Sequence, residues 1–159
     1  GIMRGTFTFI ANLIVGIAFG ILLATGLTLY GRPIGWIEGI GWGTAGFLAF
    51  SLLPALGLPP EVPGSATAEL FPRQVWWLST AFASVMGIAL IAFNSQFLWK
   101  AAGLTVLIAP HVIGAPKPPP SAVGSVPPEL AAHFVVNTLF FTAMMWVILG
   151  ITSRYVLQR

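Results

Sequence analysis

Leu52–Trp77 reads LLPALGLPPEVPGSATAELFPRQVWW, and the sequence on either side of it is apolar for long runs. Pro59, Pro60 and Pro63 each remove a backbone donor and push the preceding residue into an extended conformation. Residues 57–74 therefore read as a stiff loop rather than a helix interior. Glu61, Glu69 and Arg73 fall inside it and form the densest charge in the chain. A stiff loop would hold Glu61 in place with little entropy left to lose on binding a ligand. Arg73 is positioned to pair with Glu61 or with Glu69. A pair in water is worth about 0–1 kcal/mol, so it matters only if the loop folds back into protein.

The flanking runs set the class. Of 159 residues, 57% are hydrophobic and 7% charged, against about 25% charged in a soluble domain. Such a chain cannot cover a globular surface with polar groups, so it reads as an integral membrane protein. A span needs about 20 apolar residues. Five runs qualify, at 8–29, 36–56, 75–93, 97–113 and 130–156, which predicts an all-α, polytopic helix bundle forming a single membrane domain over residues 1–159. The run at 97–113 is short and carries Lys100; Pro54 disturbs or ends the second. The first run is too long for a cleaved signal peptide. The basic residues sit at the ends of apolar runs, without the patch that nucleic acid requires. Cysteine is absent, which removes disulfides, thiolate ligands and thiol nucleophiles together.

Small and polar residues recur at helical spacing. Thr8, Asn12, Gly16 and Gly20 share one face of the first span. Gly16 and Gly20 are spaced to let helix backbones approach closely in lipid. Asn12 in hydrocarbon needs a protein partner. Gly31, Gly35, Gly39 and Gly43 repeat the spacing in and before the second span. Pro33 suits a first helical turn, and Glu38 lies where the helix dipole favours a carboxylate. Pro110 deprives the Val106 carbonyl of its helical donor beside His111. His133, Asn137 and Met144 share a face of the fifth span. They read either as a metal-binding stripe or as an interfacial imidazole, a packing amide and a space-filling thioether.

Five spans put alternate connections on opposite faces. One face receives Arg4 and the loops 57–74 and 114–129, with Glu61, Glu69, Glu129, Arg73 and Lys117, and lies near His111 and His133. The other receives Arg32, Glu38, Lys100, Arg154 and Arg159. The basic counts, 3 against 4, hardly discriminate, but short loops and a basic C-terminus make the second face cytoplasmic. The first is then periplasmic. Histidine and glutamate suit a borderline divalent cation, so Glu61, His111 and His133 are the candidate ligands. No HExxH, paired CxxC or P-loop is present, so any ATP drive would come from another protein. No nucleophile–base pair suggests an enzyme.

The strings LLPALGLPPEVPG, RQVWWLST, LIAPHVIGAPKPP and VPPELAAHF, in this order over nearly the whole chain, resemble the CbtA family of predicted cobalt transporter subunits. The resemblance implies a bacterial inner-membrane protein, a transported divalent cation such as cobalt, and a small one-span partner of the CbtB type with a histidine-bearing tail. No resident cofactor is expected beyond the transported cation. The resemblance also implies a further hydrophobic helix upstream of Gly1. Pro59, Pro60, Glu61, Pro63, Gly64, Arg73, Gln74, Trp76, Trp77, Pro110, His111, Gly114 and Pro116 take the motif positions. Among these, Glu61 and His111 are the metal candidates on chemical grounds. A second reading is a structural or assembly subunit of a larger respiratory or photosynthetic membrane complex. There the glycine faces would pack on other subunits, and His111 or His133 would ligate a haem or chlorophyll.

Overall fold

The computed structural model describes residues 2–157. Arg159, assigned above to the cytoplasmic face, lies outside them. Helix makes up 77% of the chain, and no strand occurs among the described residues. Among the described residues there are five helices. α1 is Ile2–Tyr30. α2 begins as Trp36–Phe47, widens into a π-helical turn at Leu48–Leu52 and ends as Leu53–Ala55. α3 is Leu70–Phe93, α4 is Phe97–Ile113 and α5 is Pro128–Leu157. α1, α3 and α5 are long and apolar enough to cross a membrane, and α4 is a shorter apolar helix. α2 reaches about 30 Å at 1.5 Å per residue. The architecture is an all-α membrane helix bundle.

Two prolines are accommodated within helices. Pro54 disturbs α2, as the sequence allowed, without stopping it. The π turn before it, with the Leu53 N–H bonded to the Leu48 carbonyl, makes room for a ring that would otherwise strike the carbonyl four residues back. α3 starts at Leu70 rather than 75, with Glu69 at its N-cap. Pro72 falls in the first turn, where a missing N–H costs nothing. Arg73 and Gln74 are therefore helical, and the loop ends at Glu69.

The chain packs as two compact units. The first comprises residues 1–44 and 143–159. Its core is Leu23, Leu27 and Ile34, with Tyr30, Trp42 and Leu149 packed around them. Trp146 is 1% exposed and meets Phe19 with ring centroids 4.7 Å apart. The closest approach in this unit is between glycine backbones. A Cβ on Gly150 would collide with the Gly39 carbonyl and come within 3.0 Å of Gly43 Cα. A Cβ on Gly43 would strike the Trp146 carbonyl. The glycine stripe is thus half packing surface: Gly39 and Gly43 are buried, whereas Gly31 and Gly35 precede α2. Gly31, at φ +65°, closes α1 with its N–H on Leu27 O, a conformation that side chains disfavour.

α1 departs further from expectation. Gly16 faces open space, and a Cβ on Gly20 would sit at an ordinary 3.6 Å from Leu149. Close backbone contact at this pair is absent from the unit. Thr8 satisfies its hydroxyl within its own helix, on Arg4 O at 2.9 Å, as Ser and Thr in apolar helices do. Asn12 is exposed and has no side-chain hydrogen bond among the described residues.

The second unit, residues 45–142, is built on the α3–α4 hairpin. Trp76, Thr80, Ala81, Ser84 and Gly87 form the buried face of α3. A Cβ on Gly87 would lie 2.7 Å from the Gly103 carbonyl, and the reverse holds equally, so these helices touch backbone to backbone. Asn94 Nδ2 donates to Leu90 O at 3.1 Å and closes α3. Lys100 is exposed near the start of α4, where its stem can carry the ammonium toward water.

Candidate functional site

The site grows from the proline loop of the second unit. Pro59, Pro60 and Pro63 keep residues 58–63 out of helix, and a turn at 63–64 follows, with the Ser65 N–H on Val62 O at 3.0 Å. The loop is then tied to the 114–127 segment, where the Ser125 N–H donates to Gly64 O at 3.2 Å. Pro110 is buried inside α4. The helix runs on past it to Ile113 and closes with the Gly114 N–H on Pro110 O at 3.0 Å. That extra turn carries His111 over α3. Its ring meets Trp76 edge to face, centroids 5.8 Å apart. Gly57 makes this arrangement possible, because any Cβ there would run into the Trp76 ring and within 3.0 Å of Ala115 Cβ.

Two recesses result. The first, about 420 Å³, is lined by Gly57, Glu61, Trp76, His111 and Lys117, among others. The second, about 730 Å³, is lined by Ser51, Glu61, Arg73, Gln74, Thr138 and Thr142 with apolar neighbours. Leu58, Pro59 and Glu61 belong to both walls. At this shared wall the Arg73 guanidinium donates to a Glu61 carboxylate oxygen. Of the two pairings open to Arg73, the fold selects Glu61, and Glu69 is left exposed at the α3 N-cap without a capping bond. The pair is 27% and 24% exposed, so it is neither a fully solvated surface contact nor a buried one.

Three ring or guanidine nitrogens around these recesses are buried without a hydrogen-bond partner in the chain: His111 Nε2, Trp76 Nε1 and Arg73 Nε. A buried polar group left unpaired costs about 1–3 kcal/mol. Two of them, on His111 and Trp76, belong to residues of the first recess and mark a spot where water or a ligand completes the bonding. The chemistry is mixed. A neutral imidazole and a carboxylate are ligands for a borderline cation, while Arg73 and Lys117 oppose one. A cation reaching Glu61 must therefore compete with Arg73 for the carboxylate.

Glu61 and His111 are brought into one recess. His133 is not: it is exposed and lines neither recess. Among the described residues no three His, Asp or Glu side chains gather closely enough to hold a metal. Asn137 is also exposed and lines neither recess, and Met144 of the first unit is exposed as well. Thr138 and Thr142 face the second recess instead. Sequence reading missed these two, although hydroxyls in an otherwise apolar helix were a visible signal. It also missed Gly57, whereas Lys117 was placed on the same face as Glu61 and His111. Gly57 had a signal in its place between Pro54 and Pro59, where the chain must turn tightly.

No curated protein and no solved structure matches the chain. A family described as probable cobalt transporter subunit (CbtA) matches residues 1–158. With a match over essentially its whole length and the multi-pass helical architecture described above, the chain belongs to the CbtA family of probable cobalt transporter subunits.

Proposed function

We propose that the chain is the membrane subunit of an uptake system for cobalt or a similar divalent cation, with Glu61 and His111 as its entry site. The observation that carries this reading is their shared recess, in which His111 Nε2 has no partner. The loop 57–69 and the 114–127 segment form the periplasmic mouth, and the chain resides in a bacterial inner membrane. With two side-chain ligands, the first recess would receive a cation that keeps several waters or brings further ligands from a partner. A CbtB-type one-span subunit is the natural source of these. His133, exposed and outside both recesses, serves at the interface with a partner.

The subunit role draws support from α1. Only 6% of its apolar window is buried in the chain, and it exposes Asn12, which hydrocarbon alone cannot satisfy. A purely structural subunit of a larger complex would use the same face, but would leave the Glu61–His111 recess without a role. Cobalt accumulation in cells expressing the chain with its one-span partner separates the two. Glu61→Gln combined with His111→Ala is expected to lower uptake at least ten-fold. Uptake equal to wild type would remove these residues from the site.

A further inference from the structure

The first unit holds a polar cluster that the transport reading does not use. It surrounds residues 31–35, the turn between α1 and α2. Arg154, near the end of α5, donates from Nε to Ile34 O at 3.1 Å. Its guanidinium carbon lies 4.4 Å from the centroid of the Trp36 ring. Trp36 is held in turn edge-on to Tyr155, centroids 5.3 Å apart. Arg32, from the same turn, lies over Tyr30 at 5.6 Å. One residue, Pro33, separates Arg32 from Ile34, so their Cα atoms are within about 7 Å. Two guanidinium groups are thus set on aromatic shelves around one turn, and Arg154 is half-buried.

Neither arginine has a carboxylate within 4 Å among the described residues. Glu38, the acid nearest in sequence, turns its carboxylate back over Gly35 at the start of α2, where it complements the helix terminus. After the bond to Ile34 O, the terminal nitrogens of Arg154 have no acceptor among the described residues. Arg32 has none for any of its nitrogens. A fixed, planar, unpaired guanidinium matches an oxyanion that can accept two parallel hydrogen bonds. The depth of the cluster identifies the anion's source. It lies at the ends of the apolar spans of α1 and α5, among the Trp and Tyr rings that settle at headgroup level.

We infer that Arg32 and Arg154 bind the phosphodiester headgroup of an anionic phospholipid. Trp36 and Tyr30 orient the two guanidinium groups, and the turn at Gly31–Pro33 holds them together. The contact pins the α1–α2 turn to the membrane face and does not depend on the Glu61–His111 site.

The test is lipid retention by the purified chain, read by native mass spectrometry. Bilayers of phosphatidylcholine containing phosphatidylglycerol are compared with phosphatidylcholine alone and with phosphatidylcholine plus inorganic phosphate. The expected result is phosphatidylglycerol retained about ten-fold over phosphatidylcholine and lost in Arg154→Gln. Arg32→Gln, which keeps the bond to Ile34 O, is expected to lose retention about three-fold while folding normally. It carries the test if Arg154→Gln fails to fold. Equal retention of the two lipids, or undiminished phosphatidylglycerol retention in Arg32→Gln, overturns the inference. So does full displacement of the lipid by millimolar phosphate, which would make this a site for the free anion.

Discussion

Gly150→Leu is expected to destabilise the purified chain by about 3 kcal/mol, the upper end of overpacking costs. Gly16→Leu should be neutral or stabilising by up to about 1 kcal/mol, because leucine is the better helix former. The contrast follows from what each new side chain would meet. At Gly150 the first atom of the side chain already collides with the Gly39 carbonyl and crowds Gly43 N and Cα at 3.0 Å. These are backbone atoms, which cannot turn aside as a side-chain tip can. At Gly16 nothing lies within 4 Å. In lipid there is little hydrophobic force to hold helices together, so close van der Waals contact supplies much of the association. Forcing α5 away from α2 would also disturb the Trp146–Phe19 contact one turn further along. Denaturant titration of the two variants in one detergent checks this. Equal stabilities would mean that the Gly39–Gly43–Gly150 contact contributes little to folding.

Gly150 also shows where the sequence was legible and where it was not. Helix count and most boundaries follow from apolar length. α4 runs over 97–113 as expected, because Asn94–Ser95 and Gly114–Pro116 punctuate both ends. The end of α2 near residue 56 was legible, but the start of α3 was placed at 75 rather than at Leu70, since proline stops a helix only where an N–H is needed or a carbonyl is in its way. In α2 a π turn removes the second obstacle, and in α3 the first turn removes the first. Glycine spacing showed which residues could pack closely, but not which would. Gly39 and Gly43 do so because α5 presents a third glycine, Gly150, opposite them. That partner lies over a hundred residues away and belongs to no local pattern.

The site divides the same way. Convergence of the two loops with His111 was legible from alternating topology. The rotation of α5 was not: moving one position along a helix turns a side chain by about 100°, so His133 and Asn137 face outward while Thr138 faces the second recess. The choice of Glu61 over Glu69 as the partner of Arg73 depended on where α3 begins. Once Leu70 is the first helical residue, Arg73 lies one turn into α3 and meets the proline loop, while Glu69 is held at the N-cap.

Arg73→Met is expected to tighten cobalt binding about ten-fold, an effect opposite in sign to that of Glu61→Gln. In the wild-type chain the guanidinium occupies a carboxylate oxygen that a cation would need. A hydrogen bond to a charged group is worth about 1.5–3 kcal/mol. With both side chains about a quarter exposed, solvent screening brings the competing interaction to the low end. A ten-fold change corresponds to about 1.4 kcal/mol. Methionine keeps much of the volume and apolar stem of arginine, so the walls of the second recess should persist. Tighter binding should slow release, since conduction requires a site weak enough to leave. Arg73→Met is therefore expected to lower the uptake rate while raising affinity. Calorimetric titration of cobalt into nanodisc-embedded protein measures the first effect, and initial uptake in cells the second. Loss of binding in Arg73→Met would show that arginine holds Glu61 in its coordinating position instead of competing for it. Unchanged affinity in Arg73→Met, together with lost binding in Glu61→Gln, would mean that the cation uses the carboxylate oxygen Arg73 leaves open, and that the ion pair serves only to fix the loop on α3.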